Sequence, residues 1–184
     1  MDYYNQGKPA ISFELFPPKT GKTEEDLETN LPRLIDLNPD FFTVTYGALG
    51  TTRDGTLKLA SKLKMEYNVE VAHHLTCVAL NKNQLDAALK EIKSHGINKI
   101  VAIRGDIPQG ESEFKPPVGG YLYANEMVRH IKQFDDQFSI AVAGYPEKHI
   151  EAPDFNFDIR NLKRKVEAGA EIVITQLFYN NNDF

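Results

Sequence analysis

Ile11-Ser12-Phe13-Glu14-Leu15-Phe16-Pro17-Pro18-Lys19-Thr20 is the stretch on which the fold turns. Its first six residues alternate with period two, setting Ser12, Glu14 and Phe16 on one face and Ile11, Phe13 and Leu15 on the other, so they read as a strand. The chain then runs Pro-Pro-Lys-Thr, where a doubly wound nucleotide-binding sheet usually carries a glycine-rich turn. Comparable β-branched and aromatic runs recur at 41–46, 69–76, 99–103, 138–143 and 171–178, which makes six predicted strands. The polar segments between them hold apolar residues at helical spacing, as in Leu85, Ala88, Leu89 and Ile92, or Ile159, Leu162 and Val166. Thr23 with Asp26 and Asn81 with Gln84 look like capping boxes, and Gly96 and Gly169 stand where a left-handed helix end is wanted.

Strand and helix therefore alternate, with crossovers long enough to make neighbouring strands parallel. With the doubly wound sheet disfavoured by the first turn, the expected α/β fold is the (β/α)8 TIM barrel. Such a barrel takes about 250 residues, whereas this chain has 184 and shows six strand units. Residues 1–184 are thus expected to be one partial barrel domain. Strands seven and eight would be missing, and the edge of strand six would be open at the polar stretch 179–184.

Composition bounds the rest. Hydrophobic residues make up 41% and charged residues 26%, which excludes a disordered chain. The net charge of −5 supplies no global basic field for nucleic acid, so any anionic ligand must be met by a local cluster. Cys77 is the only cysteine and cannot form an internal disulfide. No run approaches the roughly 18 apolar residues of a membrane helix, and no leader pattern is seen. The expectation is a cytoplasmic protein with no membrane and no nucleic-acid partner.

In a (β/α) barrel, chemistry sits at the carboxyl ends of strands. Here those ends carry Glu14, Thr45-Tyr46-Gly47-Ala48, His73-His74-Leu75-Thr76, Arg104-Gly105-Asp106, Tyr145-Pro146-Glu147-Lys148-His149 and Thr175-Gln176. A glutamate on a barrel strand is either hydrogen-bonded structure or a proton donor whose pKa burial has raised. Arg104-Gly105-Asp106 is either a local Arg104–Asp106 ion pair or a phosphate-binding turn, with an arginine fork and a glycine that permits close backbone approach. His73 and His74 are adjacent on a strand and point to opposite faces, so a two-histidine metal site is not expected. Cys77 reads as a small buried apolar residue. On the fifth predicted helix Asp158, Asn161 and Lys165 share one face, while Leu162 and Val166 are expected to point inward. That basic stretch is either a solvated face or, with Arg104, a bracket for a diphosphate.

Taken together, these motifs resemble the methylenetetrahydrofolate reductase family. The resemblance is carried by residues 12–20, by Val44-Thr45-Tyr46-Gly47-Ala48 with Arg53-Asp54, and by His74-Leu75-Thr76-Cys77. It continues through 102–108, 144–149, Asn161-Leu162-Lys163-Arg164-Lys165 and 174–178. It implies a flavoprotein barrel of one-carbon metabolism and methionine biosynthesis. The implied reaction is reduction of 5,10-methylenetetrahydrofolate to 5-methyltetrahydrofolate with FAD as cofactor and NADH or NADPH as donor, and a homo-oligomer is an expectation at the level of the family. The resemblance further implies that Glu14 is the acid that protonates N10 of the folate, and that Asp106 is a catalytic residue lying between flavin and pterin. Gln176 would pair with the pterin. Thr45, Tyr46, Ala48, His74, Arg104, Gly105, Asp106, Tyr123, Ala124, Tyr145, His149, Asp158, Asn161, Arg164 and Lys165 would bind FAD. Two departures stand out: His73 replaces a proline, and the loop 109–120 is long and rich in glycine and proline. The competing readings are a flavin-independent folate- or phosphate-binding barrel, such as a methyltransferase or lyase, and an inert truncated fragment.

Overall fold

The structure, a computed structural model, describes residues 7, 9–46, 53–78, 80–107, 110 and 113–184. Among them, strands and helices alternate along the chain. The strands are β1 (Ser12–Leu15), β2 (Phe41–Val44), β3 (Val71–Thr76), β4 (Lys99–Ile103), β5 (Ser139–Gly144) and β6 (Ile172–Thr175). The helices are α1 (Gly21–Asp36), α2 (Arg53–Glu66), α3 (Lys82–Ser94), α4 (Ala124–Phe134) and α5 (Phe155–Glu167), and a short 3₁₀ turn lies at Asn181–Asp183. The strands form one sheet in the order β1-β2-β3-β4-β5-β6. A doubly wound sheet requires a reversal of strand order. None occurs among the described residues, and the sequential order is that of a (β/α) barrel, as the first turn implies. β1, β2, β3 and β6 are shorter than the apolar runs that announce them, whereas β4 matches its run and β5 keeps its length and starts one residue later. No helix among the described residues is long and apolar enough to cross a membrane.

The chain divides into two compact units, Met1–Leu75 with Asp86–Ile100, and Thr76–Leu85 with Val101–Phe184. In the first unit β1 pairs in parallel with β2, Ser12 opposite Phe41 and Glu14 opposite Thr43. Phe42, Val44, Leu31, Leu63, Leu89 and Ile92 are buried there, and the rings of Phe13 and Phe42 lie 5.8 Å apart. The expected core face of α3 is therefore the observed one. Its start is also as read, since the Asn81 N–H donates to Gln84 Oε1 at 2.9 Å and the Gln84 N–H to Asn81 Oδ1 at 3.0 Å. The start of α1 differs. Thr20, not Thr23, is the N-cap, and Thr23 is its partner three residues on: Thr23 Oγ1 accepts from the backbone of Lys19 and Thr20 at 3.0 Å each. A threonine serves at either end of a capping box, and this pair of threonines shifts the helix start toward the amino terminus.

In the second unit β5 pairs in parallel with β6, Ala141 opposite Ile172 through to Gly144 opposite Thr175. Ile140 and Val142 of β5, Met127, Val128 and Ile131 of α4, and Phe138 are buried. Helix α5 corrects an expectation. Ile159 and Val166 are each 48% exposed, and no residue of α5 is buried. Its better-covered residues are Asp158, Asn161, Leu162 and Lys165. The Lys165 ammonium explains this orientation, because it donates to the carbonyl of Ala143 on β5 at 2.8 Å and so turns the polar stripe inward. Gly96 and Gly169 adopt φ of +74° and +118°, the left-handed geometry expected where α3 and α5 end.

Replacing fully buried Ile131 with alanine should cost about 2–5 kcal/mol, since it removes transfer energy and leaves a cavity. Val118→Ala, at a side chain 99% exposed, should change stability by less than about 0.5 kcal/mol. Urea unfolding of both variants beside the parent checks the contrast.

Candidate active site

The second unit holds a cleft of about 460 Å³ at the carboxyl ends of β4 and β5. Its walls come from Arg104 after β4, the start of α4, Ala143 at the end of β5 with the segment 145–153 that follows, and α5. Gly105 turns the chain after Arg104 with φ +88°, and a Cβ there would stand 2.7 Å from Val78 Cγ2 and 3.2 Å from Thr76 Cβ. Only glycine satisfies both conditions. The Cys77 N–H ties down the same turn, donating to the carbonyl of Arg104 at 3.0 Å. Cys77 itself is fully buried, and burial pushes its thiol up to about 12, which fits an apolar role.

Arg104 does not pair with Asp106. Its two terminal nitrogens donate to the two carboxylate oxygens of Glu151, Nη1 to Oε2 at 2.6 Å and Nη2 to Oε1 at 2.5 Å, and its guanidinium lies 5.4 Å from the centre of the Phe114 ring. The bond to Glu151 raises the arginine's pKa, and the same bond lowers that of the glutamate. Lys165 has its Nζ 5.7 Å from the centre of the Tyr145 ring, and burial lowers its pKa against the opposing pull of Asp158. Tyr145 meets His149 edge to face at 4.7 Å. The His149 backbone N–H donates to Asp158 Oδ2 at 3.1 Å, and His149 Nδ1 accepts from the Glu151 N–H at 3.1 Å. That acceptance assigns the neutral tautomer, with the proton on Nε2, and burial favours the neutral ring by lowering the pKa of His149. Arg164 Nη1 donates to Asn161 Oδ1 at 3.0 Å.

Of the residues picked out in the sequence, the cleft brings together Arg104, Tyr123, Ala124, Tyr145, His149, Asp158, Asn161, Arg164 and Lys165. Gly105 and Asp106 belong to the same unit but do not line the cleft, and Asp106 is exposed. Gln176 is also exposed, and its backbone N–H donates to the carbonyl of Gly144 at 2.7 Å, continuing the pairing of β5 with β6. Sequence reading missed Glu151 and Phe157. The available signal for Glu151 was a carboxylate two residues beyond His149, in the strand-end segment that follows β5.

The first unit holds Glu14, Thr45, Tyr46 and His74. Glu14 Oε2 lies 3.5 Å from the Thr43 hydroxyl, which donates to it, and 4.0 Å from His74 Nε2. The expectation that burial distinguishes Glu14 does not hold: its side chain is 51% exposed, because Ser12, Glu14 and Phe16 form the uncovered face of β1. His74 is buried, and burial lowers its pKa to about 4, so at neutral pH it meets Glu14 as an uncharged ring. Thr45 Oγ1 and His74 Nε2 are buried without a hydrogen-bond partner among the described residues. Ala48 lies outside the described residues.

Fold and site thus define a (β/α)-barrel chain with a cationic, tyrosine-bearing cleft at its strand ends. The chain belongs to the methylenetetrahydrofolate reductase family, whose model matches residues 1–184. It is 42% identical over 189 residues to methylenetetrahydrofolate reductase (NADH) 1 of Arabidopsis thaliana, covering 97% of this chain and 32% of that protein. It is likewise 42% identical over 175 residues to 5,10-methylenetetrahydrofolate reductase of Escherichia coli (strain K12), covering 95% of this chain and 57% of the relative. The chain therefore spans between about a third and three-fifths of the length of these relatives. Among solved structures, an uncharacterized protein from Clostridium thermocellum that binds two copies of 5-methyl-5,6,7,8-tetrahydrofolic acid shares the fold. Its TM-score is 0.65 at 14% identity, over 99% of this chain and 59% of that one.

The His74 pKa has a consequence for stability. The ring titrates near 4 when folded, against 6.5 ordinarily, so the unfolded chain binds more protons between those values. Stability should therefore fall as pH drops from 6.5 toward 4, by on the order of 3 kcal/mol from this group. Urea unfolding of the parent and of His74→Gln across that range should show the parent losing more, and a ring titration followed by NMR should place the midpoint near 4.

Proposed function

We propose that the protein reduces 5,10-methylenetetrahydrofolate to 5-methyltetrahydrofolate with NADH or NADPH as electron donor, and that FAD is its cofactor. The single observation that carries this reading is the cleft of the second unit, where nine residues that the family resemblance links to FAD converge. The donor set suits such a ligand. Arg104, Arg164 and Lys165 are cations for a diphosphate, Tyr145 and Tyr123 are rings for stacking, and Asp158 and Asn161 accept from or donate to hydroxyls. Thr45 Oγ1 and His74 Nε2, buried polar atoms without partners among the described residues, are further groups for which a ligand atom would complete the hydrogen bonding. FAD, when bound, supplies the two-electron relay between the nicotinamide and the folate.

The chain's own residues supply the rest. Glu14 delivers a proton to N10 of the folate, opening the ring that holds the methylene bridge; its half-exposed carboxyl can be recharged from water between turnovers. His74 stands beside it as a neutral ring. Asp106 and Gln176, exposed in the second unit, are assigned to the pterin, the carboxylate facing developing positive charge and the amide pairing with the heterocycle.

The purified protein should show flavin absorption, and a colourless protein that takes up no added FAD would overturn the reading. Lys165→Ala should weaken FAD binding by roughly 10- to 100-fold, the scale of one lost hydrogen bond to a charged group. Glu14→Gln should retain the flavin and its reduction by the nicotinamide while slowing folate reduction by about 10²- to 10⁴-fold. Stopped-flow measurement of the two half-reactions checks this, and equal loss in both would remove Glu14 from its role.

A further inference from the structure

We propose that Glu151 is a specificity-determining residue of the cationic cleft: its carboxylate is the resident occupant of the Arg104 fork, and a phosphate reaches Arg104 only by displacing it. This rests on the reading of the cleft as a diphosphate site. Arg104 is the wall and Glu151 the visitor, for the arginine side chain is 20% exposed and the glutamate side chain 46%. The carboxylate meets the guanidinium edge-on with one oxygen on each terminal nitrogen, which is the approach a phosphate also needs. The arginine is held independently, by the Phe114 ring and by its Nε, which donates to the Gly105 carbonyl at 3.4 Å. Removing the glutamate therefore leaves the fork in place.

The other two cations differ. Lys165 donates to a backbone carbonyl and Arg164 to an amide oxygen, so neither is matched by a carboxylate at ion-pair distance among the described residues. A ligand that touches Arg104 alone exchanges one anion for another and gains little. A ligand whose phosphates also reach Lys165 or Arg164 gains charge contacts that no carboxylate of the cleft already satisfies. The arrangement favours a dinucleotide over a lone phosphate, and the displaced carboxylate, held nearby by the Glu151 N–H bond to His149, continues to repel whatever has replaced it.

Calorimetric titration of inorganic pyrophosphate and, separately, of FAD tests the proposal. Glu151→Gln keeps the shape and removes the charge, and Glu151→Ala is a second variant at the same half-exposed position. Both should tighten pyrophosphate and FAD by roughly three- to thirty-fold, the scale of one like charge removed at close range in a partly solvated site. The gain should vanish when Glu151→Gln is combined with Arg104→Gln. Weaker binding in the single variants would mean that Glu151 supports the ligand instead of competing with it. Unchanged binding, or no pyrophosphate binding at all, would mean that the fork is not the anion's place; any of these results overturns the proposal. If pyrophosphate tightens as expected while the parent protein takes up no FAD, the competitive role stands and the cofactor reading falls.

Discussion

Parallel pairing in sequential order is the constraint on which everything else depends. A strand that runs parallel to its predecessor must be left at the same edge of the sheet, so each connection begins where the last one began. Motifs separated by long helices in the sequence therefore become neighbours without any of them being near another in the chain. The register makes this concrete: Gly144 lies opposite Thr175, and the segments beyond them carry Tyr145, His149 and Gln176. The helices serve this arrangement by covering the sheet, which is why Leu89, Ile92, Met127 and Ile131 are buried and the strand-end residues remain available for chemistry.

The electrostatics of the cleft run against those of the chain. A molecule with net charge −5 gathers Arg104, Arg164 and Lys165 within one pocket, and among its described lining residues only Asp158 and Glu151 oppose them. Lys165 is the member under most tension. Burial disfavours its charge, and the geometry answers with a backbone carbonyl and the ring of Tyr145 instead of a carboxylate. A cation solvated by dipoles keeps its attraction for an incoming anion, whereas a cation in an ion pair has largely spent it.

Much of this architecture is legible in the sequence. Strand positions come from β-branched runs and the α3 cap from Asn81 and Gln84, while the convergence of Arg104 with Asn161, Arg164 and Lys165 is what the family resemblance implied. The misreadings have identifiable reasons. The α1 cap moves because threonine can play both parts of a capping box, and sequence alone does not say which threonine comes first. The facing of α5 is misjudged because hydrophobic periodicity ranks residues by apolarity, while the helix is oriented by one lysine reaching a strand carbonyl. Glu14 is expected to be buried because strand alternation identifies its face but not how well that face is covered. Glu151 escapes notice because its partner lies 47 residues away, and no spacing rule connects a loop glutamate to a distant arginine.

The condition of Cys77 makes the chain convenient for spectroscopy. It is the only thiol in the sequence, it is sealed in the interior, and burial pushes its pKa up to about 12, so thiol-directed reagents at neutral pH meet no exposed thiolate at Cys77 in the folded chain. A single cysteine introduced on the surface can therefore be labelled without first removing the native one. Val118, 99% exposed in the segment that also carries Phe114, is well placed for it. A fluorophore there would sit in solvent and leave the interior packing intact.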